Sequence, residues 1–188
     1  MIKQILRVLL LEDSKTDAIL IERQLRKVAE HCTVVTVETQ AEYERKVEEY
    51  IPNLILADYK LPTYSGLDAL IYAKDNAPAI PFIFVTGTLD DDELAAHTIL
   101  SGASGLVLKT NLDRLPEEVQ RVMDKYTHIK NLNERIEQRV QKNLELISQI
   151  ESLLGEIKGG EGYRKASEAL STLKVNQRSD ELERPIGN

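Results

Sequence analysis

Cysteine is nearly absent from this 188-residue chain: Cys32 stands alone. No internal disulfide can form, a reducing compartment suits the protein, and a thiol in a Val-rich run reads as a small buried hydrophobe. An excess of positive charge is lacking too. The 31 acidic side chains outnumber 24 basic ones, for a net charge of −7, which argues against a general affinity for nucleic acid or anionic membrane, since both need a basic face. No apolar run approaches a membrane span, and the start Met-Ile-Lys-Gln-Ile-Leu-Arg lacks a signal-peptide core. The expectation is a soluble, cytoplasmic protein. Histidines are few, and neither His31 nor His97 has metal-ligand spacing.

What the chain does have is a series of short apolar runs, each stopping at a residue with chemistry to offer. Leu54 to Ala57 runs into Asp58, Val8 to Leu11 into Glu12 and Asp13, Phe82 to Val85 into Thr86, and Leu106 to Leu108 into Lys109. Cys32 to Val37 adds a fifth run rich in β-branched residues. Helical periodicity fills the intervals. Ser14 is placed to cap a helix with apolar positions Ala18, Ile19, Ile21, Leu25 and Val28, ending near His31. Thr39 caps a second, Ala41 to Tyr50, stopped by Pro52. A third covers Leu67 to Asn76, and a fourth opens on Asp90, Asp91, Asp92 and Glu93, acids suited to the positive end of a helix dipole. Asp113 caps a fifth. Strands alternating with helices imply an α/β fold: a doubly wound five-stranded parallel sheet, flavodoxin-like, of order 2-1-3-4-5.

That order makes strands one and three neighbours and brings Glu12 and Asp13 beside Asp58 at the carboxyl ends of the strands, where open sheets of this kind bind ligands. Three crowded carboxylates repel one another unless a hard divalent cation sits among them; Mg²⁺, with its oxygen ligands and retained waters, suits two or three carboxylates and a backbone carbonyl. Asp58 then reads as a nucleophile toward a phosphoryl group. Lys109 neutralises charge on the equatorial oxygens and the Thr86 hydroxyl donates to one of them. An acid at one strand end is commonly a solvated loop residue. An acid pair, an Asp, a Thr and a Lys at four strand ends together form a site.

Four motifs carry a resemblance: Leu-Leu-Leu-Glu-Asp-Ser, Ala-Asp-Tyr-Lys-Leu-Pro-x-x-Ser-Gly, Phe-Val-Thr-Gly and Gly-Ala-Ser-Gly-Leu-Val-Leu-Lys. With them, residues 6 to about 125 resemble the receiver domain of two-component response regulators. The resemblance implies that Asp58 accepts a phosphoryl group from a phosphohistidine on a histidine kinase or histidine phosphotransfer protein. It also implies Mg²⁺ held by Glu12 or its water, Asp13, Asp58 and the main-chain carbonyl of Lys60, with Thr86 and Lys109 as switch and phosphate contacts. Two positions depart from the family pattern. The Tyr or Phe usual three residues before the lysine is Leu106, and the Pro usual after it is Thr110.

From Leu115 an unbroken heptad runs to Ile157, with d positions Leu115, Val122, Ile129, Ile136, Asn143, Ile150 and Ile157 and a positions Val119, Tyr126, Asn133, Val140, Ile147 and Leu154. Apolar residues at all but Asn133 and Asn143 predict a helix about 60 Å long that associates with another. Leu132, Leu144, Leu146 and Leu153 widen the stripe beyond a two-stranded seam. After the glycines at 155, 159, 160 and 162, residues 163–174 are expected to form a short second helix, and a hairpin that dimerises into a four-helix bundle is a natural outcome, set against a simple parallel coil ending near Ile157. Residues 175–188 are poor in apolar side chains and read as disordered. His128 falls on the solvent side of the heptad, and the Ile-Lys-Asn-Leu after it lacks the Glu and Pro expected after a phosphoacceptor histidine.

The chain is expected to carry a receiver domain at 1–125 and a coiled-coil helix at 115–157, and to act as a non-enzymatic phosphoreceiver that homodimerises through its C-terminal helix and signals by protein contacts. Its rivals are a scaffold of the same fold that signals without phosphate, and the receiver module of a larger hybrid sensor kinase. An aspartyl-phosphate hydrolase would need an acid two residues after Asp58, where Lys60 stands.

Overall fold

A computed structural model of the chain describes residues 2, 5–62, 64–87, 101–156, 160 and 163–171. Strand β1 is Leu6–Leu11, in which every side chain but that of Arg7 is buried. A strand so apolar on both faces must lie inside a sheet covered from both sides. It pairs in parallel with β2, Cys32–Val37, on one edge and β3, Leu54–Ala57, on the other; β3 pairs with β4, Phe82–Thr86, and β4 with β5, Gly105–Leu108. The order is β2-β1-β3-β4-β5, as the alternation of strands and helices requires.

Successive β1 side chains feed two cores. Leu6, Val8 and Leu10 pack with Ile21 and Leu25 of helix α1, Lys15–Leu25, and with Val119 and Met123 of helix α4, Leu115–Glu156. Leu9 and Leu11 face the other way, onto Tyr43 and Val47 of α2, Gln40–Tyr50, and Leu70 of α3, Gly66–Asn76. The caps at Ser14 and Thr39 form as expected, each side-chain oxygen accepting a backbone N–H in the first turn.

Three expectations are corrected. Helix α1 ends at Leu25 and residues 26–28 close in short turns, because Ala29 leaves the helix to bridge Ile2. Ile19 is exposed, so the buried stripe of α1 is Ala18, Ile21 and Leu25. Asp113 does not cap: Lys109–Arg114 is a 3-10 turn, and the α-helix starts at Leu115, where Pro116 tolerates the missing N–H of a first turn. The helix expected to open at Asp90 lies outside the described residues, as does 175–188. Contacts divide the chain after Tyr126 into two compact units. In the second, 163–171 is a helix, α5.

One backbone strain is visible. Ile51 caps the carboxyl end of α2 at φ 49°, ψ 64°, a left-handed conformation unfavourable for a β-branched residue, and its side chain is exposed. Ile51→Gly should relieve about 1–2 kcal/mol of strain against roughly 0.5–1 kcal/mol of added unfolded-state entropy. The expected net gain is under about 1 kcal/mol, read as a rise of a few degrees in Tm at unchanged denaturant slope.

Candidate functional site

The register places the site. Leu11 of β1 lies opposite Ala57 of β3, so the next residues, Glu12 and Asp58, emerge side by side; the Asp58 N–H donates to the Leu11 carbonyl at 2.9 Å. On the far side Thr86 of β4 pairs with Leu108 of β5, which delivers Lys109 at the same end of the sheet. Carboxylate oxygens of Glu12, Asp13 and Asp58 all lie within 4.8 Å of one another. Glu12 and Asp58 are buried and Asp13 is exposed.

Lys109 crosses into this cluster. Its ammonium donates to Asp58 Oδ2 at 2.7 Å, Glu12 Oε1 at 2.9 Å and Asp17 Oδ2 at 2.8 Å. Asp17 was not singled out from the sequence, where it reads as a first-turn acid facing the α1 dipole. The opposite Asp58 oxygen, Oδ1, accepts the Lys60 N–H at 3.1 Å, which pins the carboxylate from both ends. Thr86 is buried at the end of β4, and Lys60 lies in the loop after Asp58 with its side chain exposed.

Electrostatics follow from this crowding. Burial pushes the Glu12 carboxyl above the usual range, against the opposing pull of the Lys109 ammonium. Burial alone would depress Lys109, but hydrogen bonds to Asp17, Asp58 and Glu12 outweigh it and hold the ammonium above the usual lysine range. Three carboxylates thus share one ammonium, with that of Asp13 beside Glu12 and Asp58. Glu12 Oε2 is buried 2.8 Å from that ammonium yet accepts no aligned hydrogen bond, leaving a lone pair free for a further cation.

The profile of the response regulator receiver domain matches residues 8–120. The chain belongs to this family. Receivers are signalling modules phosphorylated by histidine kinases or phosphotransfer proteins. Regulatory protein LuxO of Vibrio cholerae serotype O1 is 34% identical over 83 residues, a match that takes in 43% of this chain and 18% of LuxO. The chain therefore spans under a fifth of that relative. A LuxO signal receiver domain from Vibrio parahaemolyticus superposes with a TM-score of 0.62 at 31% identity, covering 69% of this chain and 98% of that one. A CheY-like receiver from Methanospirillum hungatei gives a TM-score of 0.59 at 26% identity, over 66% and 98% of the two chains. Among the described residues no helix is long and apolar enough to cross a membrane.

The receiver loop after Asp58 depends on a missing side chain. A Cβ on Gly66 would run into the Asp58 carbonyl oxygen and sit 2.8 Å from Tyr59 Cα, while the Gly66 N–H donates to the Tyr59 carbonyl at 3.1 Å. Both obstacles are backbone and cannot swing aside. Gly66→Ala should therefore cost about 1–2 kcal/mol, measured by denaturant unfolding. Leu106 stands opposite Phe84 and packs, half-buried, against the second core. No ring is available there to turn inward.

Proposed function

We propose that this chain is a phosphoreceiver in a two-component phosphorelay, with Asp58 as acceptor and a histidine kinase or histidine phosphotransfer protein as donor. One observation carries the reading: the Asp58 carboxylate is held at both oxygens, by Lys109 and by the Lys60 N–H, beside two further acids. An oxygen of Asp58 attacks phosphorus, the bond from phosphorus to the donor's imidazole nitrogen breaks, and the electron pair leaves with that nitrogen. Lys109 stays positive throughout and turns from the carboxylates toward the incoming phosphoryl oxygens, with Thr86 donating its hydroxyl to one of them.

The residues fit a Mg²⁺ ion. The carboxylates of Glu12, Asp13 and Asp58, with the main-chain carbonyl of Lys60, make an all-oxygen donor set, and Glu12 Oε2 accepts no hydrogen bond that the ion would have to displace. Bound there, the ion supplies charge neutralisation at the phosphoryl oxygens. The carboxyl-terminal unit joins two chains, and phosphorylation acts on how that dimer engages its partner.

A second reading is favoured by Leu106: a scaffold of receiver fold that signals without phosphate. Titration with beryllofluoride, followed by backbone amide NMR, separates the two. The phosphoreceiver binds it in a Mg²⁺-dependent manner, with shifts centred on Asp58, Thr86 and Lys109. Absence of Mg²⁺-dependent binding returns the scaffold.

A further inference from the structure

Helix α4 carries more apolar side chains than one neighbour covers, and burial sorts them into two seams. Between 140 and 154, Val140, Leu144 and Leu154 are half-buried and Ile147 is only 7% exposed. The other buried apolar side chain of this unit, among the described residues, is Leu170 on α5. A bare helix leaves its side chains in water, so this face of α4 is already taken within the chain. A second seam stays open. Ile129, Leu132, Ile136, Leu146, Ile150 and Leu153 are 39% to 60% exposed, and their steps of three and four residues keep them on one face. Arg139 and Asn143, both exposed, fill the two remaining steps.

The open seam reads the same from either end. Three apolar residues, two polar ones and three apolar ones follow at steps of 3, 4, 3, 4, 3, 4 and 3. We propose that this seam binds the same seam of a second copy, antiparallel, about a two-fold axis at residue 141. Ile129 then meets Leu153 of the second copy, Leu132 meets Ile150, and Ile136 meets Leu146, so every apolar side chain faces another. At the centre each Arg139 guanidinium donates to the side-chain oxygen of Asn143 in the second copy. Charge decides the direction. Parallel, in-register helices stack Arg139 on Arg139 inside the seam, two like charges with no acceptor, whereas the antiparallel pair gives each guanidinium an amide. The contact is isologous and closes on itself, so it makes dimers and not fibres. Along the helix it covers about 36 Å.

This rests on the dimeric reading of the carboxyl-terminal unit and is independent of phosphoryl chemistry. The test uses the full chain with Cys32→Ala and either Ile136→Cys or Leu146→Cys, each checked for helicity and dimer mass by circular dichroism and ultracentrifugation. Under mild oxidation neither variant should cross-link with itself, while an equilibrated mixture should convert about half its chains to a disulfide dimer of one each. Self-cross-linking of either variant overturns the antiparallel register and leaves the dimer standing. A dimer that cross-links in no combination places the contact elsewhere and overturns the seam. A monomer at tens of micromolar overturns both readings. Ile129→Cys with Leu153→Cys repeats the test should the first pair lose helix.

Discussion

Asp58→Asn is expected to abolish phosphoryl incorporation from acetyl phosphate, a fall of at least about 100-fold, while the fold persists. The two effects separate for a physical reason. The amide keeps the shape of the carboxylate and can still accept the Lys60 N–H, now held at 3.1 Å, but its oxygen is a poor nucleophile and bears no charge for a cation. Stability moves little because two terms oppose. The variant loses the 2.7 Å ion pair with Lys109, yet it also removes one of three carboxylates crowded about a single ammonium. The expected change is within about 1 kcal/mol, read by denaturant unfolding beside the labelling assay. Undiminished labelling in the variant would mean that another group accepts the phosphoryl. A variant that loses both labelling and fold would make Asp58 a structural residue first.

How far the sequence discloses this site depends on which contacts are local. The acids and the lysine were legible because each ends a run of buried β residues: once the alternation of strands and helices sets the order, the register at Leu11 and Ala57 leaves Glu12 and Asp58 nowhere else to go. Asp17 was not legible. The helix dipole already accounts for an acid in the first turn of α1, and only that acid's contact with Lys109, 92 residues away, reveals the second role. Helix ends were the weakest part. Nothing in the run from Arg26 to Glu30 forbids helix, and α1 stops at Leu25 because Ile2 recruits Ala29. Periodicity along α4 shows that its apolar stripe is wide. Burial alone shows which half is covered, with Ile147 hidden and Ile150 in water.

The second large effect is expected from Lys109→Ala, and it comes with a rescue. The lysine side chain is 14% exposed and binds three carboxylates, of which Glu12 is fully buried, Asp58 nearly so and Asp17 one-third exposed. Removing the ammonium leaves Glu12, Asp13, Asp17 and Asp58 gathered without a counter-charge, and breaking a buried pair from one side costs about 3–5 kcal/mol. Discounted for the solvent that reaches Asp17, the expected loss is about 2–3 kcal/mol, a fall in Tm on the order of 10 °C. The same vacancy sharpens the pocket for Mg²⁺, because the ammonium no longer competes for the carboxylates. A ligand at 100 times its Kd stabilises by about 2.7 kcal/mol, so Mg²⁺ raised far above its Kd should return most of the lost stability, with a steeper dependence on its concentration than in the unaltered chain. Phosphoryl uptake should not return with it, since the charge that meets the transferred oxygens is gone. Thermal unfolding of both proteins across a Mg²⁺ series, with K⁺ at matched ionic strength as control, checks the prediction. Equal rescue by K⁺ would reduce the effect to screening and remove the case for a cation site among these acids.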